Sequence, residues 1–307
     1  MPLSGARLKF WAIVIVSAPL TGWAQTNIVT QTLIDSPTSL NIPGWTFGSQ
    51  DGGSLSISTD TSLNYNNEAG SLVGSYPSSP RSGGSVYIWG AYSVAALKTE
   101  DIYVELWAKM PGSRQGLKFL KIFGGSSTSG NYANTTFALD YTGGDPGAMY
   151  QVSFGDGSGI GNDTANVINF DGSSPNWIGR SYGTATVQTP QKASFSSAQW
   201  GTSWHHFRIH CKFNSGASAA TEINDGAYYV EIDGKVYVNA TGLFNRHYSN
   251  LPIDRVELFG WSQNAPSAFQ VWYDDVRITT GGFASQSNGG SGTTATVPDP
   301  PTGVSVQ

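Results

Sequence analysis

With one cysteine, Cys211, in 307 residues, the chain cannot form an internal disulfide, so its stability must come from a packed core. Charge is equally sparse. Charged residues make up 12% of the chain and the formal net charge is -5, so no overall basic field exists to hold nucleic acid. The longest apolar run is Phe10 to Leu20, too short to cross a bilayer. There is no phosphate-cradling glycine loop between a strand and a helix and no nucleophile elbow, which leaves nucleotide and serine-hydrolase chemistry without support. No segment has the period of an amphipathic helix.

Turns, rings and alternation are plentiful. Glycine occurs 38 times and aromatic residues make up 12% of the chain, a mixture that suits an all-β domain with many turns. Arg7 and Lys9 precede the short apolar run, and Gly22-Trp23-Ala24 places small residues before a cut. Residues 1–24 therefore read as a signal peptide, and the protein is expected to be secreted, extracellular or periplasmic, with no membrane span. Residues 25–281 are expected to form one sandwich domain, and the Gly/Ser/Pro-rich residues 282–307 a flexible tail.

The stretch from Trp204 to Ile278 is the most ordered in pattern. Phe207, Ile209, Cys211 and Phe213 alternate with His206, Arg208, His210 and Lys212, which predicts a half-buried strand with one basic face. Asp233-Gly234 is a two-residue turn inside Tyr228 to Val238, which predicts a hairpin. Trp272 to Ile278 alternates again. Upstream, Val86 to Trp89, Asp101 to Met110, Leu117 to Phe123, Thr135 to Tyr141 and Met149 to Phe154 also read as strands.

These three pieces, Trp204-His205-His206 with its strand, Tyr228-x-x-x-Ile232-Asp233-Gly234-Lys235-Val236-Tyr237-Val238, and Trp272-Tyr273-Asp274-Asp275-Val276-Arg277-Ile278, carry a resemblance. They resemble the concanavalin A-like and laminin-G-like β-sandwich superfamily, which includes lectins, retaining glucanases and secreted polysaccharide lyases. The resemblance implies an all-β, two-sheet antiparallel jelly-roll sandwich acting on or binding an extracellular polysaccharide, and it covers about the last third of the chain. The paired-acid E-x-D-x-x-E pattern of the glucanases is missing, and hydrolysis needs both acids.

Within that frame the chain resembles the lyases most. β-Elimination from a uronic acid needs a base for the C5 proton and a cation opposite the carboxylate. His206, Arg208, His210 and Tyr150 are the catalytic candidates. Glu105, Trp107, Lys121, Gln151, Trp177 and Arg180 are the substrate-binding candidates, with Glu105, Trp107 and Lys121 in one groove with the histidine strand. A competing reading makes the histidine face the solvated outside of the sandwich, and the sheet that holds the strand decides between them. His206 and His210 stand about 13 Å apart along a strand, too far for one zinc ion.

Asp274 falls in the register of Trp272, Val276 and Ile278 and is expected to point inward. By resemblance it helps bind a structural Ca²⁺; alternatively it accepts hydrogen bonds from N-terminal backbone amides. No other cofactor is expected. The partner is an extracellular polysaccharide, without nucleic acid, and the protein is expected to be a monomer. A non-catalytic lectin, carbohydrate-binding or adhesion module is the alternative function.

Overall fold

The computed structural model describes residues 34–78, 85–110, 117–126, 131–139, 150–156, 167–169, 186–188, 203–215, 223, 225–243, 245–246, 251–263 and 267–283. The expected signal peptide (residues 1–24), Trp177, Arg180 and residues 284–307 lie outside them. Fifteen strands are present among the described residues: β1 (Trp45–Gln50), β2 (Ser54–Ser58), β3 (Ser71–Tyr76), β4 (Ser85–Ser93), β5 (Asp101–Lys109), β6 (Leu117–Ser126), β7 (Asn131–Leu139), β8 (Tyr150–Asp156), β9 (Val167–Asn169), β10 (Thr186–Gln188), β11 (His205–Lys212), β12 (Gly226–Ile232), β13 (Lys235–Leu243), β14 (Ile253–Gln263) and β15 (Phe269–Thr279). Two single 3-10 turns, Tyr65–Asn67 and Ala95–Leu97, are the only helical pieces described. None is long and apolar enough to cross a membrane.

The strands form two antiparallel sheets. One has seven strands in the order β1-β4-β14-β6-β7-β8-β9; the other has eight, in the order β10-β13-β12-β11-β5-β15-β3-β2. Alternation sets the inner face of each. In β5, Val104, Leu106 and Ala108 are fully buried, as are Phe207, Ile209 and Cys211 in β11, so both strands follow the period read from their sequences. Val86, Ile88, Leu120, Ile122, Val256 and Leu258 supply the facing layer. Phe119 of β6 meets Phe207 and Tyr273 across the interior at 4.9 and 5.0 Å. The Tyr273 hydroxyl donates to the Phe119 carbonyl at 2.6 Å, a polar bond between the sheets that satisfies a buried phenol.

The β12–β13 hairpin also follows the expectation. Asp233 and Gly234 have φ of 51° and 74°, the two positive values of a type I′ turn, whose twist suits the flanking strands. Asp233 then does a second job: its carboxylate accepts the His206 amide at 2.9 Å and pairs with His205 at 2.7 Å.

Two expectations need correction. Lys121 is not on a strand neighbouring β5. The neighbours of β5 are β11 and β15, and β6 belongs to the other sheet, so no single groove holds Lys121 together with Glu105, Trp107, His206, Arg208 and His210. Asp274 is buried, but not toward the core. It pairs in register with Trp107, and residues directly opposite share a face. A bulge between Asp274 and Arg277, with Asp275 at φ 46°, resets the alternation, so Val271 and Tyr273 before it and Val276 and Ile278 after it fill the interior. Asp274 is covered from outside by the N-terminal segment: Ile34 bridges Val276, and Ser71 stands beside it.

Candidate functional site

Each sheet presents an outer face, and the candidates divide between them. On the eight-stranded sheet, register places His206 beside Trp107, Arg208 between Glu105 and Glu231, and His210 beside Tyr103. Arg208 gives Nε to Glu105 at 2.9 Å and Nη1 to Glu231 at 3.3 Å. His210 Nε2 meets Asp101 at 2.7 Å and its ring stacks on Tyr103 at 4.2 Å. His206 stacks on Trp107 at 4.9 Å, and Tyr65 stacks on the same indole at 4.6 Å. Phe283 lies over the Arg208 guanidinium at 4.3 Å and edge-on to Tyr103.

This face is therefore already occupied by its own partners. The Arg208 charge is shared between two carboxylates of the chain, and the Trp107 ring is stacked on by both His206 and Tyr65. Burial, helped by the Arg208 charge, pushes the His206 imidazole down to about 4, so it is neutral near pH 7 and weakly basic. Burial raises Glu105, which Arg208 partly offsets.

The seven-stranded sheet has a different outer face. The Glu257 carboxylate on β14 accepts the Tyr87 hydroxyl of β4 at 2.8 Å and the Lys121 ammonium of β6 at 3.2 Å, both at Oε1. Tyr87 stacks on Trp261 at 4.6 Å, within 10° of parallel, and on Trp89 at 5.0 Å, and all three rings stay half-buried. Lys121 also sits over the Tyr87 and Phe123 rings, and Arg255 over Phe123 at 4.2 Å. Lys118, further along β6, is brought down to about 8, by burial first and then by the like charge of Lys121. Three cations, Lys118, Lys121 and Arg255, thus gather around Glu257, with Asp254 at the bulged start of β14.

The backbone beneath this cluster is irregular on two adjacent strands. β6 shifts register between Lys118 and Leu120, so Phe119 and Leu120 both turn inward while Lys118 and Lys121 face out. In β14, Phe259 is fully buried at φ 72°, an unusual conformation for a bulky residue, and Gly260 follows at φ 96°. A Cβ on Gly260 would run into the Lys118 carbonyl, so the glycine is what lets the two strands approach. The Tyr76 hydroxyl of the opposite sheet donates to the Gly260 carbonyl at 3.1 Å and holds the bulge. Strain of this kind collects at functional sites.

Of the expected residues whose side chains are described, only Lys121 belongs to this second cluster. Tyr150 and Gln151 lie on β8 of the same sheet by backbone placement, with Gln151 opposite Ala138 and Asn169. Tyr87, Trp89, Arg255, Glu257 and Trp261 were not anticipated. An acid, a base and a tyrosine from three strands distant in sequence carry no local signal. Only the Tyr87-x-Trp89 alternation of β4 could have pointed here.

Asp274 forms a third, separate cluster. Its carboxylate accepts the Ser71 hydroxyl at 2.5 Å, the Asp275 amide at 2.9 Å and the Ser36 amide at 3.4 Å. The expected bond from an N-terminal amide is thus present. Burial raises Asp274 to about 6, and burial together with Asp274, Asp35 and Asp275 raises Glu68 to about 7. Glu68 Oε2 is buried without a hydrogen-bond partner. Among the described residues, no three or more acidic, histidine or cysteine side chains assemble as a metal-binding group.

The fold recurs in solved structures. The chain is similar to the endo-β-1,4-glucuronan lyase of the fungus Trichoderma reesei, with a TM-score of 0.52 and 12% identity over 82% of this chain and 95% of that one. Similarity to the alginate lyase vAL-1 from Chlorella virus has a TM-score of 0.47 and 15% identity, over 77% and 93% of the two chains. For the carbohydrate recognition domain of Emp47p the values are 0.43 and 15%, over 81% and 95%. No family model matches the sequence, and no curated protein does. At such identities the likeness is one of fold, and the fold is the concanavalin A-like sandwich expected from the sequence.

Proposed function

We propose that the protein is exported and acts as a polysaccharide lyase on an acidic, uronate-containing glycan, with its site on the outer face of β4, β14 and β6. The observation that carries this reading is the cluster of three cations around one acid, with a lysine near pH 8 beside half-buried rings. A concanavalin A-like sandwich is a fold that carbohydrate-active proteins use, and it leaves the reaction to the site.

β-Elimination assigns the side chains as follows. Lys118, unprotonated, takes the C5 proton; the C5–H electron pair becomes the C4=C5 double bond as the C4–O bond breaks. The departing oxygen takes a proton, and the Lys118 ammonium just formed is the donor on that face. Lys121, fixed by Glu257 and Tyr87, stands opposite the uronate carboxylate and stabilises the charge that builds there. A lysine tuned to about 8 is matched to this work, because an appreciable fraction is free base at neutral pH. Incubation with glucuronan, alginate, pectate and glycosaminoglycans, followed by ultraviolet absorbance of the unsaturated product, tests the reading; absence of product on every polymer sinks it.

The Tyr87, Trp89 and Trp261 stack supports a second reading, a non-catalytic carbohydrate-binding module, which predicts glycan retention without unsaturated product. We also propose a structural calcium held by Asp274 and Glu68. The unpartnered Glu68 oxygen is what fits a cation there, although the side chains described do not complete a shell by themselves.

A further inference from the structure

We infer that Arg255 and Phe123 form a carboxylate-reading subsite one sugar away from the Lys121–Glu257 centre, so that the preferred glycan carries uronates at consecutive positions. The inference rests on the reading of this face as the glycan site. Among the described residues Arg255 is the one arginine of the face, and its environment differs from that of every other described arginine. Arg208 is bonded to Glu105 and Glu231, Arg246 to Glu100, and Arg277 to Asp275. Among the described residues Arg255 has no ion pair, and its Nε is buried with no hydrogen-bond partner.

A buried N–H without an acceptor is costly, and a guanidinium stacked on a ring has already lost much of its freedom. Phe123 supplies that ring at 4.2 Å, directly opposite Arg255 in register. The adjacent acid, Asp254, attracts Arg255 and accepts the Gly125 amide, and burial raises its pKa; its Oδ1 carries no hydrogen bond, so it is not bonded to the Arg255 fork. Lys121 lies on the next outward row of β6 and repels rather than satisfies a guanidinium. What completes Arg255 is therefore an anion from outside the chain, and the flat fork suits a carboxylate.

Position defines the rest. Arg255 and Glu257 are two residues apart on β14, about 7 Å along the strand, and both face outward. That step is on the scale of one monosaccharide. On the β4 side, Ser93 stands opposite Arg255 and Ala91 opposite Glu257, so small side chains flank both positions, and Tyr87 reaches Glu257 from further along the strand. A chain lying across the face with one carboxylate at Lys121 places its neighbour's carboxylate at Arg255. A polymer alternating uronate with a neutral sugar leaves that fork empty.

Calorimetric titration of the full chain with a uronate tetrasaccharide, and with the same tetrasaccharide after its carboxyls are reduced to alcohols, tests this. R255Q is expected to weaken binding of the acidic oligosaccharide about tenfold or more, with R255K between it and the parent. R255Q and the parent are expected to bind the reduced oligosaccharide alike. If R255Q holds the acidic oligosaccharide as tightly as the parent while K121Q releases it, the subsite is wrong and the proposed function survives. If R255Q weakens both oligosaccharides equally, the loss is one of packing, and the subsite is again wrong. Failure of the parent protein to bind the acidic oligosaccharide removes the subsite and the glycan site together.

Discussion

Lys118 and Lys121 illustrate how two like residues on one strand take different roles. Glu257 and Tyr87 anchor Lys121, while burial and the Lys121 charge lower Lys118 to about 8. The rate of product formation should rise with pH as Lys118 loses its proton and level off above about 8. K118Q should abolish product while retaining glycan. K121Q removes the like charge, so the rising limb of its pH profile should move to higher pH, a shift that a purely structural lysine would not cause. The carboxylates near Asp274 titrate with the opposite consequence for folding. Asp274 at about 6 and Glu68 at about 7 lie above their unfolded values, so the native state binds more protons than the unfolded chain. Their contribution is complete below the unfolded values, about 4, and is lost as pH climbs from there through about 6 to 7. Thermal unfolding in EDTA should show Tm falling across that window, and calcium should restore it most at the upper end. A Tm insensitive to calcium at pH 8 would remove the proposed cation.

At the scale of elements, β14 is the informative strand. Its apolar residues occupy Ile253, Val256, Leu258 and Phe259, a spacing that fits neither a simple strand nor a helix, because the backbone is bulged at both ends of the run. The alternation expected of a strand is therefore missing from this part of the sequence. The bulge puts Glu257 and Trp261 on the outer face and Leu258 and Phe259 inside, which a regular strand cannot do. Two glycine substitutions separate conformational strain from steric conflict. Gly234→Ala, at φ 74° with open space around it, should cost about 1 kcal/mol. Gly260→Ala meets the Lys118 backbone as well, and should cost about 3 kcal/mol and depress glycan binding. Denaturant midpoints of both variants, compared with the parent, check the ordering.

For the whole molecule, the question is which outer face faces the ligand. The eight-stranded face is closed by internal pairs and by Phe283, which follows the expected domain end at Gly281 and packs on Arg208. Arg208→Gln should leave glycan binding at the parent level. It should lower stability by about 2–3 kcal/mol, because it strands Glu105 and Glu231 in a largely buried setting. Loss of binding or of product in a folded Arg208→Gln or His210→Gln protein would return the site to the histidine strand.

Much of the fold was legible because alternation is a local property. The inward residues of β5 and β11, the Asp233-Gly234 turn and the single buried cysteine could all be read from neighbours in the chain. Asp274 was read as buried, correctly, but toward the wrong side, since a one-residue bulge inverts the parity on which such a reading depends. A polar face on β11 was also legible. Which sheet it belonged to, and whether its charges were already neutralised, was not. Arg208 finds Glu105 across 103 residues, and Lys121 finds Glu257 across 136. The amino-acid order by itself determined strands, their buried sides and the all-β class, because those follow from contacts between residues a few positions apart. Only the tertiary structure decided which cations were left for a ligand, because that depends on carboxylates delivered from distant strands by the pairing of two sheets.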